Sequence, residues 1–383
     1  MSSTGKEPLL YQTHVRVHLQ NIRSNILGIR EAVGSERKIL IAVKANAYGH
    51  GAVEVSRMAQ QIGVDWLGVA TVPEAIELRD AGITLPILKF NPAFPEEMRA
   101  AVLHDITLTV CELENIRQLN QIASENKCIS NVHLKVDTGM GRIGVMPEDA
   151  PELAHYIERD CPNLRLEGIF THLPVSDDSD FSYTQNQVTF FKDIVHQIET
   201  EIGRKIALVH CANSGGVLAH PASWLDMVRP GIMIYGFYPG KETPRTIDLK
   251  PGLSFGTRVL FIKKITRGAT VGYGRTWSAP EDTWIATIPA GYADGFNRLF
   301  SNRGRVLING RSYPVVGRVC MDQSMINLGS NTDVRIGDEV VLIGRSMEQE
   351  ITVYEWAEKL DTITYEVTCQ INQRVPRLFD PYK

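Results

Sequence analysis

Eight short runs of apolar, largely β-branched residues punctuate the first 235 positions, at 38–45, 65–71, 85–90, 106–110, 132–137, 166–172, 206–211 and 227–236. Several are apolar on both faces, as parallel strands covered by helices are. Between most of them the spacing shifts to i, i+3, i+4, i+7, in 54–63, 72–82, 95–105 and 112–126, which predicts amphipathic helices. Pro73-Glu74, Pro95-Glu96 and Pro147-Glu148 read as helix starts, since proline suits the first helical position. Strand alternating with helix eight times predicts a (β/α)8 barrel of the TIM type, and about 235 residues is close to the usual ~250.

Beyond residue 245 the period changes. Short alternating runs at 250–277, 282–295, 304–329 and 334–344 are split by glycines, and Asn309-Gly310 reads as a two-residue hairpin turn. One short helix is expected over 352–361, and a linker over 241–248. The expected fold class is therefore α/β plus all-β: a barrel domain over 1–245 and a mainly antiparallel β domain over 246–383. No repeat or low-complexity segment interrupts either half.

Composition narrows the function classes. The 383 residues are 43% apolar and 22% charged, with a net charge of −4, typical of a globular chain with a sizeable core. No basic patch stands out, which argues against nucleic acid or an anionic membrane as partner. No run approaches the ~20 apolar residues of a membrane span. Residues 1–19 lack the features of a signal peptide. The six cysteines form no CxxC pair, so neither a disulfide framework nor a metal site is expected, and a reducing cytoplasm fits.

A barrel carries its chemistry at the C-terminal ends of its strands. Lys44 ends the first run among Ile41, Ala42, Val43 and Ala45. Desolvation there favours the neutral amine that Schiff-base chemistry needs; a lysine snorkelling from a strand end is the plain alternative. Lys135 and Arg142 lie in HLKVDTGMGRIG, where an arginine suits a carboxylate and the plain alternatives are an ion pair with Asp137 and an ordinary loop. His172 ends the sixth run, where a satisfied structural histidine is the commoner case. Asn213-Ser214-Gly215-Gly216 and Arg229-Pro230-Gly231-Ile232 follow the seventh run and the start of the eighth, where barrels often hold phosphate through backbone N–H groups. In the β domain, Tyr273 sits between Gly272 and Gly274, and Cys320-Met321-Asp322 lies in GRVCMDQS. A desolvated lysine, a phosphate cup and a carboxylate-binding arginine on one rim suggest pyridoxal 5′-phosphate acting on an amino acid.

The motifs AVKANAYGHG, KVDTGMGRIG, CANSGG, VRPGIMIYG, VGYGRTW, IPAGYADG, GRVCMDQ and YEV…RVPR stand in the order found in bacterial alanine racemases, and the resemblance runs from about residue 14 to 379. It implies a fold-type III pyridoxal-phosphate enzyme and a cytoplasmic head-to-tail homodimer whose sites use both subunits, converting L-alanine to D-alanine. The product would serve as a peptidoglycan precursor or be broken down. Carried over position by position, Lys44 would bind the coenzyme as a Schiff base and act as one base. Tyr273 from the second subunit would be the opposite base. Tyr48, Ser214, Gly231, Ile232 and Tyr365 match phosphate-holding positions. Arg229 would face the pyridine nitrogen, and His172 would bridge Arg229 and Tyr273. Arg142 and the backbone of Met321 would hold the substrate carboxylate. Lys135 matches a lysine often carbamylated, and Tyr292 and Tyr365 match tyrosines that narrow the entrance. Lysine and tyrosine both titrate near 10, so Lys44 would be tuned down by burial and the coenzyme, and Tyr273 by a hydrogen bond to His172. The departure is THLPVSDDSD after strand six, where many members have Phe-Ala after the histidine. Within the same family, a broad-specificity or serine racemase is the alternative, against which the bulk of Tyr365 speaks. A barrel that only carries the coenzyme would lack the β domain. A decarboxylase of the same two-domain type would place its cysteine in another context than GRVCMDQ.

Overall fold

The computed structural model describes residues 9–382. The leader reading of the N-terminus falls, over residues 1–8, outside the described residues. The described chain divides into two compact units, one of residues 19–251 and one of 9–18 with 252–382.

The first unit is the expected barrel. Its eight parallel strands are Lys38–Ala42, Trp66–Val69, Ile87–Lys89, Thr107–Val110, Ser130–Lys135, Leu164–Phe170, Leu208–His210 and Met227–Val228, paired in chain order, with the last returning to the first. The seam between strands seven and eight is carried by Asp226 N–H to Val209 O at 3.1 Å and Arg229 N–H to Ala212 O at 2.8 Å. Leu40, Trp66, Leu88, Leu208 and Met227 pack together as one apolar cluster, with Phe90 against it. Around the wall run helices such as Leu113–Glu125, which buries Ile116, Leu119 and Ala123, the stripe that its i, i+3, i+7 spacing dictates.

Two expectations are corrected, and one element was not foreseen. The run 227–236 is a strand only over Met227–Val228, and Ile232–Tyr235 forms a 3-10 turn instead; Pro230 lacks the N–H that a continued ladder requires. The helix expected at Pro147-Glu148 begins at Ala150, with Pro151 in its first turn. Helix Leu19–Val33, which opens the barrel unit, has no counterpart among the expected elements.

The second unit is built on a ten-stranded sheet, mostly antiparallel. Arg305–Ile308 and Arg311–Val316 form the expected hairpin, with Asn309 and Gly310 both at positive φ, +49° and +75°, as its turn requires. Helix Val353–Leu360 is capped by Thr352, whose hydroxyl accepts from Glu355 N–H at 3.0 Å. Strand His14–Val17 pairs antiparallel with Leu253–Arg258 and parallel with Arg377–Phe379. Residues 9–18 thus group with the C-terminal unit, which takes up the chain again at residue 252. Among the described residues no helix is long and apolar enough to cross a membrane.

Candidate active site

Lys44 directly follows the first barrel strand and opens the short turn Lys44–Tyr48. This turn is left-handed. Ala45, Asn46, Ala47 and Tyr48 have φ of +51°, +52°, +54° and +53°, a conformation that costs roughly 1–2 kcal/mol per L-residue. Its neighbours hold it. Ala47 N–H donates to Val43 O at 2.8 Å, and Gly51 N–H to Asn46 O at 2.9 Å. Glu74 accepts from Ala45 N–H at 2.7 Å through one oxygen, and from Ala70 and Thr71 N–H at 2.8 and 3.1 Å through the other. Strain retained by this much bonding is typical of functional sites. Lys44 is half-buried, its Nζ 5.8 Å from the Phe90 ring centre.

Lys135, the last residue of strand five, is buried. Burial, and next the nearby Arg142 and Arg229, push its pKa down to about 8. The exposed loop beyond it is shaped by Asp137, which accepts from Gly139, Gly141 and Arg142 N–H at 3.0 to 3.1 Å. Burial acts to raise the Asp137 pKa, yet those N–H groups hold it below the ordinary carboxylate value. Asp137 is therefore engaged by backbone rather than paired with either cation.

After strand six, Gln187 Nε2 donates to His172 O at 3.0 Å and to Thr138 Oγ1 at 2.9 Å. Burial first, then Arg229, Arg142, Lys135 and Lys44, hold the His172 ring well below its usual pKa. The unusual LPVS path after His172 is tied down by Asn213, which takes the Ser176 hydroxyl at 2.6 Å and donates to Leu173 O at 2.9 Å. Asn213 also caps helix Ser214–Ala219.

Ser214 Oγ accepts from Gly231 N–H at 2.9 Å and Met233 N–H at 3.4 Å. A Cβ on Gly231 would lie 2.8 Å from the Tyr48 hydroxyl. Only glycine lets that hydroxyl approach the Gly231–Ile232 backbone. Arg229 is buried and makes no ion pair among the described residues. Its guanidinium donates to His210 Nδ1 at 2.9 Å, Thr171 O at 2.7 Å and Cys211 O at 3.2 Å. Burial lowers its pKa to about 10. These bonds do not include His172, which Arg229 influences through its charge.

The barrel rim thus brings together Lys44, Tyr48, Lys135, Arg142, His172, Ser214, Arg229, Gly231 and Ile232. Four are cationic side chains around a neutral histidine, which suits a ligand with two anionic ends. The second unit carries the others. Tyr273 opens the turn Tyr273–Arg275 with 74% of its surface exposed, and with Cys320, Gln323 and Met325 it lines a cleft of about 480 Å³. Tyr292 N–H donates to Cys320 O and Ala293 N–H to Met321 O, both at 3.0 Å. Asp294, fully buried, accepts from Gly291 N–H, Tyr11 and Arg374 at 2.9, 2.7 and 2.8 Å. Tyr365 lies on helix Thr364–Cys369. Of the residues that hold these positions, Gln187 and Asp294 were not named from sequence, Asp137 entered only as an ion-pair alternative and Glu74 only as part of a helix start. Glu74 had one signal, the Thr-x-x-Glu of a capping box.

Family models agree with this arrangement over nearly the whole chain: "Alanine racemase, N-terminal domain" matches residues 17–239 and "Alanine racemase, C-terminal domain" residues 253–379. The chain belongs to the alanine racemase family. Among curated relatives, an alanine racemase of Cutibacterium acnes is 47% identical over 95% of this chain and 97% of its own. Among solved structures, family members from Clostridium difficile 630 and Bacillus anthracis superpose with TM-scores of 0.93 and 0.92. The first is 37% identical, covering 97% of each chain. The second, solved with bound L-Ala-P, is 36% identical and covers 98% of this chain and 96% of its own.

Proposed function

We infer that the chain interconverts L- and D-alanine with pyridoxal 5′-phosphate as coenzyme. The observation that carries this reading is the barrel rim, where a strained turn bears Lys44, Arg229 is buried without an ion pair among the described residues, and Ser214 meets the Gly231 N–H, in a chain that matches the alanine racemase family throughout. The family is pyridoxal-phosphate dependent.

The donor set fits the coenzyme. The room that Gly231 leaves for Tyr48 fits a phosphate held by Tyr48, Ser214 and the Gly231 and Ile232 backbone, joined by Tyr365. Lys44 is the covalent anchor. Bound there, the coenzyme supplies an electron-poor ring that acidifies the Cα–H of an attached amino acid. Arg229 would face the ring nitrogen as a donor that keeps its proton, which would limit charge withdrawal into the ring and disfavour reprotonation at the wrong carbon. Arg142 and the Met321 backbone hold the substrate carboxylate.

Racemisation takes a proton from one face of Cα and returns one to the other, so two groups on opposite sides are needed. Lys44 Nζ serves one face. Tyr273 Oη, from a second copy arranged head to tail, serves the other. His172, kept neutral by the cations around it, meets the phenol of Tyr273 and tunes it. Lys135, whose lowered pKa leaves a sizeable neutral fraction near pH 8, takes up CO2 with loss of a proton, and the resulting carbamate gives Arg142 an acidic partner. Tyr292 and Tyr365 narrow the entrance to favour alanine. The enzyme works as a cytoplasmic homodimer.

A coupled assay for D-alanine formed from L-alanine, run beside L-serine, tests this. Activity on alanine, with borohydride fixing the coenzyme on Lys44, supports the reading. No D-alanine from coenzyme-loaded protein, or equal kcat/KM on both substrates, overturns it or its specificity.

A further inference from the structure

Beneath Arg229 the barrel interior holds a line of polar groups that the roles above do not use. Arg229 Nη1 meets His210 Nδ1 at 2.9 Å. His210 Nε2 meets His133 Nδ1, also at 2.9 Å. His133 Nε2 faces Glu167 Oε2 at 3.6 Å. Those last two atoms are buried, stand just beyond hydrogen-bond distance of each other, and have no hydrogen-bond partner among the described residues. Both imidazoles are fully buried.

The direction of the line follows from what each group can do. A guanidinium only donates, so His210 Nδ1 accepts. A neutral imidazole has one N–H. For His210 this is Nε2–H, and it donates to His133 Nδ1. His133 therefore carries its own proton on Nε2, aimed at Glu167. A carboxylate only accepts, so both ends of the line impose the same order. Burial holds both rings below their usual pKa, and the charge of Arg229 adds to that.

The backbone is built around this line. Val132 pairs with Leu166 but His133 pairs with Gly168, so Glu167 is the extra residue of a bulge on strand six. Bulges near active sites re-aim a side chain. At Gly168 a Cβ would lie 2.7 Å from His133 Cε1 and Nδ1, so the ring occupies space that only glycine leaves. The rings are also clamped. Trp66 packs on His133 with ring centres 5.4 Å apart, and Phe170 stacks on His210 at 4.9 Å and 4°.

We propose that Glu167 is a positioning residue for the racemase site: through the ordered tautomers of His133 and His210 it fixes the orientation of Arg229. This rests on the reading of Arg229 as the donor to the coenzyme's ring nitrogen. The geometry gives Arg229 a fixed hydrogen-bond partner without a carboxylate in direct contact, so its full charge stays available to the ligand. The acid that terminates the line lies two rings away.

Solid-state NMR of the holoenzyme, with histidine labelled in both ring nitrogens, reads this directly. Lines that disappear in His133→Gln and His210→Gln identify the two rings. Each is expected as a single neutral tautomer, protonated at Nε2 and bare at Nδ1. Either ring protonated at Nδ1, or doubly protonated, overturns the proposal. Glu167→Leu removes the acceptor. It is expected to give mixed His133 tautomers, a shifted coenzyme absorption band and a kcat about tenfold lower, the worth of one hydrogen bond, with KM for alanine nearly unmoved. Glu167→Gln keeps an accepting oxygen and should restore the single tautomer and most of the lost kcat. A leucine variant with unchanged band and kcat, or a glutamine variant as impaired as leucine, also overturns it. If the leucine variant does not fold, the unsubstituted tautomers and the glutamine variant decide. A holoenzyme that makes D-alanine with the wrong tautomers sinks only the role of Glu167. One that makes none sinks the functional reading and this role with it.

Discussion

Lys135 shows how position alone changes the chemistry of a side chain. An ordinary lysine titrates near 10.4; here burial and two arginines bring it to about 8. Its protonated form therefore opposes folding. That penalty is complete below about pH 8 and fades as pH rises toward the unfolded value, so this group alone makes stability climb between about pH 8 and 10. In CO2-free buffer, Lys135→Met should raise the unfolding free energy at pH 7 by up to about 3 kcal/mol and flatten that climb. An unchanged pH profile would contradict the assignment. In 13C-bicarbonate, carbon NMR should show a carbamate that fades as pH falls below 8 and is absent from the methionine variant. The opposed proton carriers proposed above make a second residue-level prediction. Tyr273→Phe should slow solvent exchange of the α-hydrogen far more for one enantiomer of alanine than for the other, and equal losses for both would contradict two bases.

Among the elements, the barrel strands were legible because strands buried on both faces leave continuous apolar runs, as in 38–45 and 206–211. The Asn309-Gly310 hairpin was legible because its turn needs positive φ twice. The left-handed turn after Lys44 was not: Ala-Asn-Ala-Tyr carries no signal for four successive positive φ values, and tertiary hydrogen bonds impose them. The candidate rim residues were found because polar groups at strand ends stand out. The groups that position them, such as His133, His210 and Gln187, sit at spacings indistinguishable from those of ordinary buried positions. Glu74 gives this scale its test. Glu74→Ala removes an acceptor shared by three backbone N–H groups and should cost about 1–3 kcal/mol of stability. Because it loosens the turn bearing Lys44, kcat should fall by more than KM changes. A variant that loses stability alone would make the turn a purely structural device.

For the whole molecule, the division into a barrel unit and a β unit was readable from the change of hydrophobic period near residue 245. The membership of residues 9–18 was not, because it depends on pairing His14–Val17 with strands more than 230 residues away. Local pattern cannot report so distant a partner. The same applies to Tyr273, for which the role proposed above requires a second copy of the chain. Co-expression of Lys44→Ala and Tyr273→Ala chains under two different tags, with purification of the hybrid dimer, measures that requirement directly. If each site takes its lysine from one chain and its tyrosine from the other, the hybrid has one complete site and one lacking both groups. It should then show about half the unsubstituted activity per dimer, while both parent homodimers are inactive. A hybrid as inactive as its parents would mean that both groups come from the same chain, and the two-chain site would be wrong.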